Sequence, residues 1–450
     1  MSSESAVTMP TGAFLRGKGI RRILVEGLFG EYTYELGARI SEEGCSPRFL
    51  LLYGDNGSGK TTVLNIVFYL LSHLDQEGHK SRVKRYPFKA VVVDFADGTS
   101  VGAHRASAMD GMYRLSIIKN GNVLAETVYG RVYEGTQRDK FLQEAQHDKE
   151  HEQILGLLES LGLKIVFLRH TRKIVTNVRE PGAPKGPRLP ASGPPAPPDD
   201  DEAIQGLNLQ NTVYMLNRWV TERALRGATQ GEEDVNELFS EIISTLAHSD
   251  DAGNSKDRGL DALIADLLQQ RDRYLSFSEF GLVRPLKLEP LLAVLRNLPQ
   301  HAHHSVIQVL SPYVSSLEAR LAALEPTRAR FATFVDLMNS FYRNKTIRLD
   351  VYRGLAIKTR MGESLKIARL SSGESQLLYL LTNILVAKDK STIFMVDEPE
   401  ISLNVKWQRQ LLRSLLKLTK ESDIQFIFAT HSIELLSRHR EFVAQLDAAG

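Results

Sequence analysis

The sequence predicts an α/β protein with a mixed sheet core, an attached antiparallel β lobe and a helical insertion that separates two halves of the core. Three observations predict this class. A glycine-rich loop lies between a strand-like stretch and a helical stretch near residue 54. Two apolar runs near the C-terminal end of the sequence finish in charged side chains, as buried parallel strands do. Between these parts, residues 203–343 show helical periodicity.

The glycine-rich loop, Gly54 to Thr61, fits the pattern G-x-x-x-x-G-K-[ST] of a phosphate-binding P-loop. Backbone N–H groups of such a loop surround phosphate oxygens at the positive end of the following helix. Lys60 is expected to reach the β- and γ-phosphates and Thr61 to hold Mg²⁺, so the predicted cofactors are ATP and Mg²⁺. The alternative is a glycine turn before a helix. The predicted nucleotide-binding residues here are Gly54, Asn56, Gly57, Ser58, Gly59, Lys60, Thr61 and Thr62.

Composition places the chain in an ordinary globular class. Its 450 residues predict two to three domains. The formal charge of +2 neither favours nor excludes nucleic acid as a partner. Cys45 is the only cysteine, which excludes an internal disulfide and a thiolate metal cluster and suits a reducing cytosol. No apolar run approaches the roughly 20 residues of a membrane span, so we expect a cytoplasmic protein without a membrane partner.

Residues 1–180 are predicted to form the N-terminal half of the core, with the P-loop and the antiparallel lobe. Asp97-Gly98 and Asn120-Gly121 each separate two strand-like runs, which is the strongest short hairpin pattern. The runs are Ala90–Phe95, Val101–Arg105, Tyr113–Lys119 and Val123–Tyr129.

A linker and a helical insertion are predicted next. Residues 181–198 hold eight prolines and precede three aspartates, so residues 181–202 are expected to be an extended, disordered linker. Residues 203–343 form the helical insertion. Its apolar stripes suit either an ordinary helix bundle or a short protruding coiled coil. Pro326 is expected to interrupt the later stripe.

Residues 344–450 are predicted to complete the core. Ser371 is placed to cap a helix, with Glu374 three positions later as a capping box. A helix N-terminus with a serine and a glycine can bind phosphate, on its own chain or on another subunit. The alternative is simply a well-formed helix start.

Two charged strand ends complete the predicted site. The run 392–396 feeds Asp397, expected to bind Mg²⁺, and Glu398, expected to orient and deprotonate the attacking water. The alternative is a pair of surface acids. The run 425–430 ends in His431, for which a γ-phosphate contact is expected, although a lone histidine is usually structural.

Four motifs carry a family resemblance: GDNGSGKT at 54–61, LSSGE at 370–374, FMVDEPE at 394–400 with SLN at 402–404, and FATHS at 428–432. Together they resemble ABC-type ATPases, and within them the SMC/RecF/OLD-like branch (AAA_15/AAA_21). The resemblance implies a P-loop ATPase head and two heads that enclose two ATP molecules. It also implies that the signature residues act in trans, that 402–404 crosses the dimer axis, and that His431 is the switch histidine. The further cofactor-binding residues it implies are Ser371, Gly373, Glu374, Ser402 and Asn404.

The motif pattern departs from that family in two ways. No clear Q-loop is visible; Arg169 and Arg172 follow a strand where it could lie, although an exposed basic loop is the alternative. The sequence runs only 19 residues past His431, so no Toprim nuclease domain is expected after it. This combination resembles stand-alone ATPases of anti-phage systems such as PARIS and Septu.

The first functional hypothesis is an ATP-assembled head dimer, or a higher oligomer, that controls a separately encoded nuclease in phage defence. Nucleic acid or a phage protein is the expected trigger. The second is a RecF/SMC-like DNA-repair ATPase that clamps DNA on ATP binding. A transporter ATPase is disfavoured, because about 310 residues separate the P-loop from Ser371.

Overall fold

The fold divides into two compact units, and the chain passes from the first to the second and back. The first unit is Met1–Asn208 with Ala387–Gly450, and the second is Leu209–Val386. The predicted linker at 181–202 lies outside the described residues. The computed structural model describes residues 14–16, 19–37, 45–75, 78–107, 111–130, 137–171, 174–176, 209–210, 212–227, 259–300, 303–386, 392–420, 422–436 and 443–445.

The described strands are β1 (Phe14–Arg16), β2 (Ile20–Leu28), β3 (Tyr32–Leu36), β4 (Cys45–Pro47), β5 (Phe49–Tyr53), β6 (Ala90–Phe95), β7 (Thr99–His104), β8 (Tyr113–Lys119), β9 (Asn122–Tyr129), β10 (Lys164–Leu168), β11 (Ile174–Thr176), β12 (Lys345–Asp350), β13 (Gly354–Thr359), β14 (Thr392–Asp397), β15 (Ile424–Thr430) and β16 (Val443–Gln445). The helices are α1 (Lys60–Leu71), α2 (His79–Val83), α3 (Gln137–Ser160), α4 (212–227), α5 (Leu260–Ser278), α6 (Glu289–Arg296), α7 (His303–Phe341), α8 (Ser372–Val386), α9 (Val405–Leu418) and α10 (Ile433–Leu436). The predicted α/β class is confirmed.

A largely parallel sheet in the first unit has the order β11-β10-β14-β15-β5-β16, and only β11 pairs antiparallel. Its central strands are apolar on both faces, as a sheet covered on both sides requires. The register pairs Leu168 with Val396, Asp397 with Ala429, and Thr430 with Tyr53. The carboxyl ends of β5, β10, β14 and β15 therefore lie at one edge, where open α/β sheets bind ligands.

The antiparallel lobe is a second sheet of the first unit, in the order β3-β2-β6-β7-β8-β9. The Asn120-Gly121 turn has φ values of 50° and 82°, the paired left-handed conformations of a tight hairpin. Helix α1 contacts β14 and β15 of the parallel sheet and β7 of this lobe. Its buried residues share one hydrophobic core with both sheets, so the packing of α1 fixes where the P-loop sits.

The second unit holds helices α4 to α8 and the hairpin of β12 and β13. Helices α5, α6 and α7 share one apolar core that includes Leu267, Leu292 and Val314, which is helix-bundle packing. The predicted break at Pro326 is wrong, because α7 continues through it. Leu324 and Phe331 on either side of the proline are fully buried, so packing outweighs the lost backbone hydrogen bond.

No helix among the described residues combines the length and apolarity needed to cross a membrane.

Candidate functional site

The P-loop joins β5 to α1 and closes on itself. Gly57 and Gly59 have φ values of 89° and 88°, a conformation that favours glycine. A Cβ on Gly59 would also lie 2.7 Å from Leu28 Cδ2, so a side chain at this position would be strained in the backbone and would displace Leu28. Lys60 is buried, and its Nζ donates to the Gly54 and Asp55 carbonyl oxygens at 2.8 Å each. The ammonium group is therefore held inside the loop, at the place where phosphate oxygens would otherwise satisfy it.

The predicted magnesium ligands meet across the sheet edge. The Thr61 hydroxyl lies 2.9 Å from Oδ2 and 3.1 Å from Oδ1 of Asp397, at the start of α1 and the end of β14. Burial raises the pKa of Asp397, although Thr61 and His170 act in the opposite direction. A hydroxyl and a buried carboxylate are hard oxygen donors, which fit a magnesium ion. A bound Mg²⁺ would supply charge neutralisation for the phosphates.

His170 is the residue that the loop after β10 brings to this edge. Because β10 pairs in parallel with β14, His170 Nδ1 lies 3.3 Å from Asp397 Oδ2. Arg169, the sequence-based candidate, instead donates to the Tyr69 hydroxyl at 3.0 Å, and its guanidinium lies over the Phe167 ring. Arg172 lies outside the described residues. Sequence reasoning missed His170 because the order of the strands decides which loop reaches Asp397.

The two predicted catalytic side chains, Glu398 and His431, are in contact at the ends of β14 and β15. Glu398 has a φ of 55°, an uncommon conformation for a residue with a side chain, and its N–H donates to the Ala429 carbonyl at 2.9 Å. Burial first and the neighbouring Glu400 second raise the pKa of Glu398. A carboxylate with a raised pKa beside a half-exposed imidazole is an arrangement suited to accepting a proton from water.

Glu400 was not predicted as a site residue, although it lies within this cluster. It is buried, and its Oε1 accepts from the Thr430 hydroxyl at 2.6 Å and from the His431 and Ser432 N–H groups at 2.8 and 3.2 Å. One ligand atom each from Glu398, Glu400 and His431 lie within 4.8 Å of one another. A motif search passes over Glu400, since its partners lie 30 to 32 residues away in sequence.

The predicted signature residues lie in the second unit, at the N-terminus of α8. Oε2 of Glu374 accepts from the Ser371 N–H at 2.7 Å and the Ser371 hydroxyl at 2.8 Å, as the capping-box pattern predicts. Lys345 Nζ donates to the same oxygen at 2.6 Å. Burial alone would raise the pKa of Glu374, but the hydrogen bonds from Lys345 and Ser371 lower it. Gly373 is buried, whereas Ser371 is exposed at the helix start.

The loop predicted to cross a dimer axis follows β14 in the first unit. Ser402 and Asn404 are both exposed, and Ser402 has a φ of 65°. The Asn404 side chain accepts from the Trp407 N–H at 3.0 Å and so caps α9. Within the first unit, the structure thus brings together Lys60, Thr61, Asp397, Glu398 and His431. The roles given to these residues, and to those of α8 and this loop, stay predictions.

Comparison with known proteins supports an ATP-binding P-loop ATPase of the ABC type. Residues 273–437 match the AAA_21 family model, described as "AAA domain, putative AbiEii toxin, Type IV TA system". The molybdenum import ATP-binding protein ModC of Pasteurella multocida (strain Pm70) is 33% identical over 111 residues, which are 24% of this chain and 31% of ModC. The chain thus matches about a third of the length of that relative.

Two solved structures align along nearly the whole chain, both with a TM-score of 0.38. One is the Smc head domain of Pyrococcus furiosus with an extended coiled coil, bound to the C-terminal domain of ScpA; it is 15% identical and 96% of each chain is covered. The other is the SmcHead bound to the C-winged helix domain of ScpA; it is 12% identical, with 95% of this chain and 97% of that chain covered.

Proposed function

We propose that this protein binds ATP with Mg²⁺ on its P-loop and hydrolyses it, with Glu398 as the base for the attacking water. The observation that carries this proposal is the meeting of Thr61 with Asp397 from 336 residues away, beside the Glu398–His431 pair. Lys60 binds the β- and γ-phosphates once they replace the loop carbonyls that now accept from it. Glu398 takes the proton of the water, and His431 contacts the γ-phosphate.

The hydrolysing form in this proposal is a dimer of heads. An exposed Ser371 at the N-terminus of α8, beside the α8 amides, suits a phosphate that is presented by a second copy. Ser371, Gly373 and Glu374 then serve the ATP on the partner's P-loop, and the 402–404 loop lies near the dimer axis. The capping hydrogen bonds of Glu374 hold the start of α8 in place for this task.

The dimer of heads controls a separately encoded effector, a nuclease, in defence against phage. The matching family model is described as a putative toxin of a toxin–antitoxin system, and this description supports a role in defence. Hydrolysis by itself damages neither phage nor host, so the output of this site is a change of shape that binds or releases a partner. Nucleic acid or a phage protein is the trigger in this proposal.

The chemistry is tested with two variants of the purified protein. Lys60→Ala should lose ATP affinity, because the loop loses its cation. Glu398→Gln should keep ATP and Mg²⁺ binding but lose about 10²- to 10⁴-fold in kcat, because only the base is removed. ATP affinity and phosphate release are measured for both, and Gln269→Arg on the exposed face of α5 serves as the control. Wild-type turnover in Glu398→Gln would remove Glu398 from the mechanism.

The biological role is tested by co-expression with the neighbouring genes. The protein alone should hydrolyse ATP and leave DNA and RNA intact, and it should co-purify with a nuclease encoded beside it. A steeply salt-dependent affinity for duplex DNA, with no co-purified effector, would favour the DNA-clamping alternative. Nuclease activity of this chain alone that disappears in Glu398→Gln would overturn the effector proposal.

A further inference from the structure

Glu400 forms a hydrogen-bonded anchor for the turn that carries His431. Its side chain is only 4% exposed, and a single oxygen, Oε1, accepts three hydrogen bonds. The donors belong to the last residue of β15 and the two residues after it: the Thr430 hydroxyl and the N–H groups of His431 and Ser432. A buried carboxylate that accepts several hydrogen bonds fixes its donors strongly, because these bonds are charge-assisted.

The same carboxylate also borders the two side chains proposed to act on water. His431 Nδ1 lies 3.3 Å from Glu400 Oε1, and it also contacts Glu398. The second oxygen, Oε2, is buried without a hydrogen-bond partner among the described residues. Glu400 thus fixes the backbone of His431 and limits where the imidazole can lie. Glu398, at the end of β14, contacts the same imidazole.

The far side of the turn has its own, separate support. The Ser432 hydroxyl donates to Oε1 of Gln408 at 2.8 Å, and Nε2 of Gln408 donates to the Leu403 carbonyl at 2.8 Å. This second anchor reaches Ser432 and not His431. The Ser432 N–H also donates to the Thr430 hydroxyl at 3.0 Å. Loss of Glu400 therefore leaves Ser432 held, and His431 is the residue whose backbone N–H loses its acceptor.

We propose that Glu400 is a positioning residue for hydrolysis: its Oε1 fixes the turn 430–432 and thereby sets His431 against Glu398. This inference rests on the proposed function, because it assumes that His431 and Glu398 act together on ATP. In this proposal the three acids of the motif DEPE have separate roles. Asp397 binds the metal, Glu398 accepts the proton of the attacking water, and Glu400 positions the histidine.

A double-mutant cycle in kcat tests the proposal. Glu400→Ala should lower kcat by at least tenfold and leave the ATP dissociation constant within about twofold. In the His431→Ala background, the same change should cost less than about twofold, because Glu400 acts through His431. Glu400→Gln retains a carbonyl acceptor for the three donors and should stay within about fivefold of wild type. Two results would overturn the proposal. One is that Glu400→Ala lowers kcat at least tenfold in the His431→Ala background as well; the other is that Glu400→Gln lowers kcat as much as Glu400→Ala does.

Gln425→Ala provides the matched control. Gln425 is buried on the same strand and also makes three hydrogen bonds, to the Ile20 N–H and to the Ile20 and Pro47 carbonyls. Gln425→Ala should lower the melting temperature. Any effect that it has on kcat should be the same with and without His431→Ala, so that the two effects are additive in free energy. A purely structural role for Glu400 would show the same additive behaviour.

A measurement without ATP separates failure of this inference from failure of the proposed function. Hydrogen–deuterium exchange of a peptide spanning residues 425–436 should speed up in Glu400→Ala at the His431 amide, whose acceptor is lost, whereas the Ser432 amide keeps the Thr430 hydroxyl as an acceptor at 3.0 Å. The His431 amide should keep its protection in Gln425→Ala. Unchanged protection in Glu400→Ala overturns the anchor even if the protein hydrolyses ATP. Faster exchange in a protein without ATPase activity keeps the anchor and removes the proposed function.

Discussion

His170, in the loop after β10, contacts Oδ2 of Asp397, the same oxygen that accepts from the Thr61 hydroxyl. A side chain that holds a metal-binding carboxylate in orientation typically changes metal affinity by 10- to 100-fold when it is removed. His170→Ala should therefore raise the Mg²⁺ concentration needed for half-maximal hydrolysis by about tenfold. Steady-state hydrolysis at a series of Mg²⁺ concentrations measures this.

The exposed His104 at the end of β7 gives the control substitution, His104→Ala, which should leave the Mg²⁺ dependence unchanged. A His170→Ala variant with a wild-type Mg²⁺ titration would show that the contact with Asp397 is incidental.

At the scale of single residues, the sequence predicts the site wherever a motif is contiguous. Lys60 and Thr61 directly follow the glycine loop, and Asp397 and Glu398 directly follow an apolar run, so the local sequence pattern suffices to find all four. The role of Glu400 cannot be predicted from local sequence, because its three hydrogen-bond donors lie at the end of β15, 30 to 32 residues away. Such contacts follow from the pairing of β14 with β15, which no local pattern contains.

At the scale of elements, a buried lysine joins α1 to α2. Nζ of Lys80 donates to the carbonyls of Tyr69, Leu70 and Ser72 at 2.8, 2.6 and 2.8 Å, at the C-terminal end of the P-loop helix. These carbonyls have no partner within the helix and would be costly to bury alone. Burial lowers the pKa of Lys80 to about 7, and Asp75 acts in the opposite direction.

This lysine predicts a rise in stability with pH between about 7 and 9. In that window the unfolded chain keeps the proton, with a usual pKa of 10.5, while folded Lys80 has released it. The slope from one such group is at most about 1.4 kcal/mol per pH unit. Burial lowers the pKa of His151 and raises that of Tyr113 well above its usual value, so neither group titrates in this window. Urea unfolding of wild type and Lys80→Met measures the slope.

Lys80→Met should flatten the pH dependence and lower stability at pH 9 by about 1–3 kcal/mol, because buried carbonyls lose their donor. Lys89→Met, on the exposed surface, is the control and should retain the wild-type slope. A Lys80→Met variant with an unchanged slope would assign the pH dependence to other groups.

Helix α7 predicts a stabilising substitution at Pro326. The proline is exposed inside a helix of 39 residues, so it contributes little packing and removes one backbone hydrogen bond. Pro326→Ala should raise the free energy of unfolding of the second unit by about 1–3 kcal/mol. Urea unfolding followed by circular dichroism tests this. Pro326→Gly provides the comparison, since it restores the N–H but not the helix propensity of alanine; a less stable alanine variant would mean that the packing of α7 requires the proline.

The sequence predicts strands and helices correctly where turn residues or apolar runs decide the local structure. It fails where side-chain packing outweighs the local preference of a residue. The Asn120-Gly121 pair predicted the hairpin of β8 and β9, because both residues adopt the positive φ that this turn requires. Pro326 predicted a helix end that is absent, because buried side chains on both sides hold α7 together.

At the scale of the whole molecule, the chain divides at 208 and 386, whereas the predicted boundaries lay at 202 and 343. Helix α8, with the signature residues, therefore belongs to the same compact unit as α7. Tyr342 at the end of α7 donates through its hydroxyl to the Glu374 carbonyl at 2.8 Å, and α7 and α8 pack together. Local periodicity shows that both are helices, but not which other elements each one packs against.

This division predicts that ATP binding and head association can be separated. The P-loop lies in the first unit and Ser371 lies in the second, at the exposed start of α8. Ser371→Arg places bulk and charge where the phosphate of a facing head is proposed to sit. The variant should bind ATP like wild type but fail to dimerise with ATP, and its hydrolysis should fall accordingly. Loss of the Ser371 cap costs about 1 kcal/mol, so α8 is expected to stay folded.

Nucleotide affinity by fluorescence titration and mass by light scattering, each with and without ATP, test this prediction. The Glu398→Gln background keeps ATP intact during the measurement, so that a dimer has time to accumulate. Gln269→Arg on α5 adds the same charge to the same unit and should still associate, which separates a local effect at α8 from a general effect of charge. If Ser371→Arg dimerises with ATP as fully as its parent, Ser371 does not act across a dimer and the head-to-head arrangement must use another surface.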